Sequence, residues 1–187
     1  MNFESNNLKI NEFHVTLPEE IKVQILRDVE VQKLLETLKK IVELRPETIR
    51  YIEAPTLEIQ LAAIKEDPYA IEWIKDPSLE IQLAAVNENP YVIGYMKDPS
   101  PEAQLVAVKK DGAVFECIKN PSLEVQLAAV KENGYFINYI EVPSLEVQLA
   151  AIKEDPYVIQ YIKDPLPEVQ LAAVKQDDSL IKIYQNL

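Results

Sequence analysis

The sequence repeats itself every 22 residues from residue 55 to residue 187. Six successive copies begin at residues 55, 77, 99, 121, 143 and 165, and the fifth reads PSLEVQLAAIKEDPYVIQYIKD. A weaker match, LRPETIRYIEA at residues 44–54, indicates a degenerate earlier copy that begins near Lys33. Repetition at such a period is typical of a solenoid, in which each unit buries its apolar face against its neighbours.

Each copy contains two helices, whose starts are marked by proline. Proline suits the first turn of a helix, and an Asp or Asn before it can cap the exposed amides. Asp-Pro or Asn-Pro opens the shorter helix in three copies and the longer helix in four, although Ser78 and its equivalents could cap the longer helix instead. In the first full copy the longer helix is predicted over Leu57–Glu66 and the shorter one over Pro68–Lys75. The pattern therefore predicts an all-α solenoid of two-helix repeats.

The ends differ from the repeats. Residues 1–32 are predicted to form an N-terminal arm and a capping helix, with a partly alternating stretch at residues 8–15 as an arm or short strand and a capping box at residues 16–19. The solenoid follows at 33–187, with the degenerate copy at 33–54 and six copies at 55–187. The last copy is more polar, as a cap should be, but Leu180, Ile181 and Tyr184 leave open an end-to-end homodimer.

A glutamine recurs inside the apolar arc of the longer helix. A buried amide needs partners, which here are backbone carbonyls or the same residue one repeat away. We favour a glutamine ladder that ties the repeats together over a ligand contact. The residues are Gln60, Gln82, Gln104, Gln126, Gln148 and Gln170.

Aromatic residues form two columns, four residues apart, on the shorter helix. One interpretation is that they edge the core, because a tyrosine ring packs while its hydroxyl reaches water. The other is that they anchor a protein partner, for which Tyr and Trp are favoured. The candidate partner-binding residues are Tyr69, Tyr91, Ala113, Tyr135 and Tyr157 of the first column and Trp73, Tyr95, Cys117, Tyr139 and Tyr161 of the second.

The third copy interrupts both columns, since Ala113 and Cys117 stand where other copies have rings. If the columns only edge the core, Phe115 is expected to fill the space, because protein interiors are close-packed. If they form a binding surface, this gap is its deepest point and the place for an anchor side chain of the partner.

Charge narrows the class of partner. The chain has 31 acidic and 19 basic side chains, a net charge of −12, of which −10 belongs to residues 55–187. Such a field repels phosphates and attracts basic surfaces, so we expect a protein partner with a basic surface and no direct binding to nucleic acid or membrane. The alternative is that the charge only keeps the chain soluble.

The sequence lacks the usual signs of catalysis. The three glycines are isolated, which excludes a phosphate-binding loop, and His14 and Cys117 are the single histidine and the single cysteine. We predict no catalytic residue, no cofactor and no metal site, and therefore not an enzyme. No apolar run is long enough to span a bilayer and the start lacks a signal-peptide pattern, which favours a cytoplasmic location.

The repeats resemble known helical-repeat families. DPSPEAQLVAVKKD and DPLPEVQLAAVKQDD resemble the leucine-rich repeat variant, in which a proline-rich start leads into a short helix and then a second, often 3₁₀, helix. LEVQLAAVKENGYFINYI resembles short helical repeats of bacterial, phage and giant-virus proteins. The resemblance implies a right-handed or HEAT-like α-solenoid with a binding role and no catalytic residues.

Three functions are compatible with these features. The first is a protein–protein interaction module that binds through the acidic, tyrosine-lined surface. The second is a phage-type counter-defence inhibitor that masks a basic nucleic-acid-binding surface of a host enzyme. The third is a sponge that binds a small molecule in a pocket of the solenoid.

Overall fold

The computed structural model describes residues 19–181, with the side chains of Gln24 and of residues 27–181. Over this range α-helices alternate with 3₁₀ helices, and the all-α prediction is confirmed. The α-helices are α1 (Glu19–Leu44), α2 (Leu57–Glu66), α3 (Leu79–Glu88), α4 (Pro101–Lys110), α5 (Leu123–Glu132), α6 (Leu145–Glu154) and α7 (Pro167–Gln176). The 3₁₀ helices are η1 (Pro46–Tyr51), η2 (Pro68–Trp73), η3 (Pro90–Tyr95), η4 (Gly112–Cys117), η5 (Gly134–Tyr139), η6 (Pro156–Tyr161) and η7 (Asp178–Leu180).

The helices form two layers. Each α-helix packs against the α-helices before and after it, and neighbouring 3₁₀ helices from η1 to η6 pack against each other in the same way. Each α-helix also contacts the 3₁₀ helix of its own repeat, so the core lies between the layers. Equivalent residues therefore form rows along the solenoid. The handedness of the superhelix stays a prediction, and the predicted strand at residues 8–15 lies outside the described residues.

Local capping explains where the helices begin. Ser78 Oγ accepts a hydrogen bond from the Ile81 amide at 3.4 Å, which makes serine the cap of the longer helix. Asp67 Oδ1 accepts from the Tyr69 amide at 2.9 Å and caps the shorter helix, as predicted. The shorter helix is a six-residue 3₁₀ helix and ends at Trp73, two residues before the predicted end.

The core of each repeat is built from the same positions. In the first full repeat Ile59, Ala63 and Ile64 of α2 meet Ala70 and Ile71 of η2, and all five are buried. The repeat that contains α4 and η4 differs, because Phe115 replaces the isoleucine and is the largest fully buried side chain among the described residues. In the same repeat Ala103 stands where α2 has Ile59, so a larger and a smaller residue are exchanged together.

The recurring glutamines bind mainly within their own repeats. Each donates its Nε2 hydrogen to the carbonyl oxygen of the proline five residues earlier, at 2.8–3.0 Å. Gln82 alone among them also bonds to the next repeat, where its Oε1 accepts from the Ser100 amide at 2.8 Å. The Oε1 atoms of Gln104 and Gln148 are buried without a partner. The predicted ladder is therefore wrong as a continuous feature.

The junctions after Gln82 and after Gln104 and Gln148 also differ in backbone conformation. Asn120 and Asp164, which follow the repeats of Gln104 and Gln148, adopt the left-handed conformation, with φ of 52° and 53°. Asp98, which follows the repeat of Gln82, does not. The same junction therefore occurs in two conformations along the chain, and the bond between repeats forms at a junction that is not left-handed.

We expect Gln82→Met to destabilise the fold more than Gln104→Met. Both changes remove a bond to a proline carbonyl, but only the first also leaves the Ser100 amide without its partner. An unsatisfied amide costs about 1–3 kcal/mol, whereas Gln104→Met removes an oxygen that was already unpaired. Urea denaturation of both variants measures the difference, and equal losses of stability would contradict it.

Both ends of the described region contribute apolar residues to the core. Helix α1 is continuous across residues 32 and 33, and it contributes Leu35, Leu38 and Val42 to the core. At the other end Leu180 is buried and Ile181 is exposed, while Tyr184 lies outside the described residues. The end-to-end homodimer stays a prediction.

Between residues 19 and 181 no helix has both the length and the apolar character of a membrane span.

Candidate interaction surface

The aromatic columns lie on the outer side of the 3₁₀ layer. Tyr69 and Trp73 are half-buried, whereas the six tyrosines of η3, η5 and η6 each expose 39–53% of their surface. Tyr51 of η1, which precedes the second column, is 80% exposed. The columns thus run along one face of the solenoid and are open to solvent over most of their length.

Rings of the two columns pair between adjacent repeats. Tyr69 of the first column packs edge-on against Tyr95 of the second column in the next repeat, with ring centroids 5.1 Å apart and planes at 88°. Tyr135 and Tyr161 make the same contact at 4.9 Å and 81°. Such T-shaped pairs are favourable beyond the area that they bury. They hold the rings in fixed orientations without burying them.

The third full repeat removes two of these pairs. By the same offset Tyr91 would meet a ring at position 117 and Tyr139 would meet one at position 113, but Cys117 and Ala113 stand there. Ala113 is exposed, and Phe115 is 1% exposed in the core position held elsewhere by isoleucine. The side chain of Phe115 therefore fills the core and leaves the position of Ala113 open. We call Ala113 and Cys117 the gap.

Two carboxylates of η4 and its cap border the gap. Tyr91 Oη donates a hydrogen bond to Asp111 Oδ2 at 2.9 Å, and Tyr139 Oη donates to Glu116 Oε2 at 3.2 Å. Each bond favours the neutral phenol, so the adjacent carboxylate raises the pKa of Tyr91 and that of Tyr139. One tyrosine from each neighbouring repeat thus orients a carboxylate of the interrupted repeat.

The same arrangement recurs once near the end of the array. Tyr157 Oη donates to Asp177 Oδ2, and this bond, with those from Ser179, lowers the pKa of the Asp177 carboxyl. Here the flanking repeat has Ser179 in place of a first-column ring. In both cases the first-column position of the next repeat holds a small residue, Ala113 or Ser179, whereas Tyr135, which is followed by Tyr157, makes no such bond to Asp155.

An arginine of the chain already lies on the second column. The guanidinium carbon of Arg50 is 5.7 Å from the centroid of the Tyr51 ring and 5.6 Å from that of Trp73. Both distances are within the range of a cation–π contact. The spacing of second-column rings in adjacent repeats thus suits a planar cation.

Cys117 packs as a small apolar residue. It is half-buried, and a Cβ placed on Gly94 of the preceding repeat would lie only 3.2 Å from the Cys117 Cβ. Burial, and then the charge of Glu116, raise the pKa of the thiol and keep it protonated. The thiol therefore lacks the thiolate character of a nucleophile.

Two open grooves lie beside the columns, whereas others lie on the α-helical layer. One, of about 590 Å³, lies at the junction that carries Trp73, Tyr95 and Gln82. A second, of about 300 Å³, includes Cys117, Lys119 and Gln104 at the next junction. Within residues 19–181 no group of three or more His, Cys, Asp or Glu side chains is placed to hold a metal ion.

No protein-family model, curated protein or solved structure matches the chain.

The structure brings all ten predicted partner-binding residues onto one face. Sequence reasoning missed the carboxylates of Asp111 and Glu116 and the guanidinium of Arg50. Asp111 had a sequence signal only as a helix cap, a role that it also performs by accepting from the Ala113 amide at 3.0 Å.

Proposed function

We propose that this chain is a non-enzymatic protein-interaction module that binds a partner through its aromatic columns. The observation that carries the proposal is the alignment of exposed tyrosines on one face of the solenoid. Extended aromatic patches of this kind are typical of protein-binding surfaces, where Tyr and Trp contribute most of the binding energy.

Charge supports a basic partner. The net charge of −12 attracts positively charged surfaces over long range and raises their rate of association. At short range the carboxylates of Asp111 and Glu116 lie beside exposed rings. If the partner uses its basic surface to bind nucleic acid, the same contact would mask that surface, which is the inhibitor form of this proposal.

We also propose that the repeats are a version of the leucine-rich repeat variant. The support is the alternation of ten-residue α-helices with six-residue 3₁₀ helices after a proline-rich start. Glutamine stands where that family has arginine.

Affinity capture from the native host, with parallel baits, tests the function. The baits are the wild type, Tyr95→Ala with Tyr139→Ala, and Ala113→Tyr. The matched control is Leu79→Ala with Leu123→Ala, which removes two exposed apolar side chains, also two repeats apart, from the α-helical layer. We expect a set of proteins held by the wild type and the control but lost from both column variants. The double tyrosine variant should weaken binding by more than about 2 kcal/mol.

A salt series on the captured proteins then tests the charge complementarity. A partner recruited by its basic surface should dissociate steeply as the salt concentration rises. If the baits all retain the same proteins, with melting temperatures preserved, the partner does not bind the columns. A small molecule that survives dialysis and is detected by native mass spectrometry would instead support a ligand-binding function in the groove beside Trp73.

A further inference from the structure

We propose that the gap is a receptor for an arginine side chain of the partner. The guanidinium would enter beside Ala113, donate hydrogen bonds to Asp111 and Glu116, and lie against the rings of Tyr91 and Tyr139. The inference rests on the proposed function and names the chemical group that the surface recognises.

The walls of the gap are aromatic rings that lack their usual neighbours. Tyr69 and Tyr135 are each covered at one edge by a ring of the following repeat. Tyr91 has no such ring to cover it, because the equivalent position is Cys117. Tyr139 has no first-column ring beside it, because Ala113 stands there, and the one ring that it pairs with among the described residues is Phe136, at a centroid distance of 6.3 Å. A guest between Tyr91 and Tyr139 would restore the missing contacts.

Two carboxylates that form no ion pair in the described part of the chain lie beside the gap. Asp111 accepts from a tyrosine and a backbone amide, Glu116 accepts from a tyrosine, and neither forms an ion pair among residues 19–181. Lys119 is exposed close by, and Lys110 donates to the Asn87 carbonyl oxygen instead. Oriented carboxylates with free lone pairs are good acceptors for charged donors.

The chain shows how such a guest is held. The Arg50 guanidinium lies over Tyr51 and Trp73, which are second-column rings of adjacent repeats. Arginine suits the gap better than lysine, because its planar group stacks on rings while its several N–H donors reach two carboxylates. The rings of the gap differ from those around Arg50 in that they belong to different columns and to the two repeats that flank the interrupted one, and the gap adds two carboxylates to the ring contacts.

Titration with short peptides tests this inference without a known partner. The probes are acetyl-Gly-Gly-Arg-Gly-Gly-amide and the same peptide with lysine or with citrulline, which keeps the shape of arginine without its charge. We expect NMR shift changes at Tyr91, Tyr139 and Ala113 with the arginine peptide, in the millimolar range. The lysine peptide should bind at least about three-fold more weakly and the citrulline peptide should leave these signals unchanged.

Two double variants that each remove two negative charges separate the effect of the carboxylates at the gap from the effect of the net charge of the protein. Asp111→Asn with Glu116→Gln should lower the affinity for the arginine peptide at least about five-fold. The control, Asp155→Asn with Glu72→Gln, removes the same two charges at equivalent positions of other repeats and should leave the affinity within about two-fold. Asparagine is tolerated at position 111, since Asn89 and Asn133 cap the equivalent helices. Ala113→Tyr should abolish the shifts by filling the gap.

The outcomes separate this inference from the proposed function. Equal binding of the arginine and lysine peptides, equal losses in the two charge variants, or no shifts at tens of millimolar peptide would each overturn the arginine receptor. If captured proteins depend on Tyr95 and Tyr139 but not on Asp111 and Glu116, the interaction surface stands and the arginine receptor fails. If no captured protein depends on the rings, the proposed function fails, and the peptide titration still decides whether the gap binds arginine.

Discussion

Phe115→Ala is expected to cause the largest loss of stability of any single truncation in the solenoid, about 3–5 kcal/mol. The ring is 1% exposed, belongs to the core between the layers, and lies 6.2 Å from the ring of Phe136 in the next repeat. Removing it leaves a cavity at the junction of two repeats. Because each repeat is stabilised by its neighbours, loss of this contact should also lower the cooperativity of unfolding.

The control for this prediction is Phe136→Ala. This variant removes a phenylalanine side chain of the next repeat that is only half-buried. Its loss of unfolding free energy should therefore be clearly smaller. Chemical denaturation, with the slope and the midpoint compared between variants, measures both effects. A cost for Phe115→Ala no greater than that for Phe136→Ala would mean that Phe115 is not held in the core in solution.

The helix boundaries of the α-layer follow from local chemistry. The prediction of Leu57–Glu66 agrees with the structure because the cap, the apolar spacing and the following Asp-Pro all act within a few residues. The shorter helix was harder to define, because six residues after a proline are too few to distinguish α from 3₁₀ by periodicity. The sequence likewise could not decide how exposed the tyrosine columns are, because the same spacing fits rings at the edge of a core and rings in solvent.

The contacts that define the gap could not be predicted from the sequence. Tyr91 binds a carboxylate 20 residues later and Tyr139 binds one 23 residues earlier, so both bonds depend on how far successive repeats are rotated and shifted. The same is true of the glutamines. Their need for partners was evident, but the sequence does not show that Gln82 would bond to the Ser100 amide, or that Asn120 would adopt a left-handed conformation while Asp98 does not.

Gly134→Ala is expected to destabilise the solenoid by about 1–3 kcal/mol, although proline occupies the equivalent position in η2, η3 and η6. A Cβ on Gly134 would lie 2.7 Å from the Ala151 carbonyl oxygen of α6, and a helix backbone cannot move aside cheaply. Gly134 does not have a positive φ, so the cost would arise from this close approach and not from backbone strain. Restoring the proline of the other repeats should be harmful here for the same reason.

Gly112→Ala is the matched control, because Gly112 begins η4 as Gly134 begins η5. The three atoms nearest to its Cβ would all belong to the carboxyl group of Glu132, the closest at 2.5 Å, and that exposed side chain can rotate into solvent. The variant loses the bond from the Gly112 amide to Glu132 Oε1, at 3.2 Å, but gains about 0.4–1 kcal/mol from the less flexible unfolded chain. Thermal and urea unfolding should therefore show Gly112→Ala near the wild type and Gly134→Ala well below it. Equal stabilities of the two variants would show that η5 can move away from α6, and that the approach of these helices is not fixed by their packing.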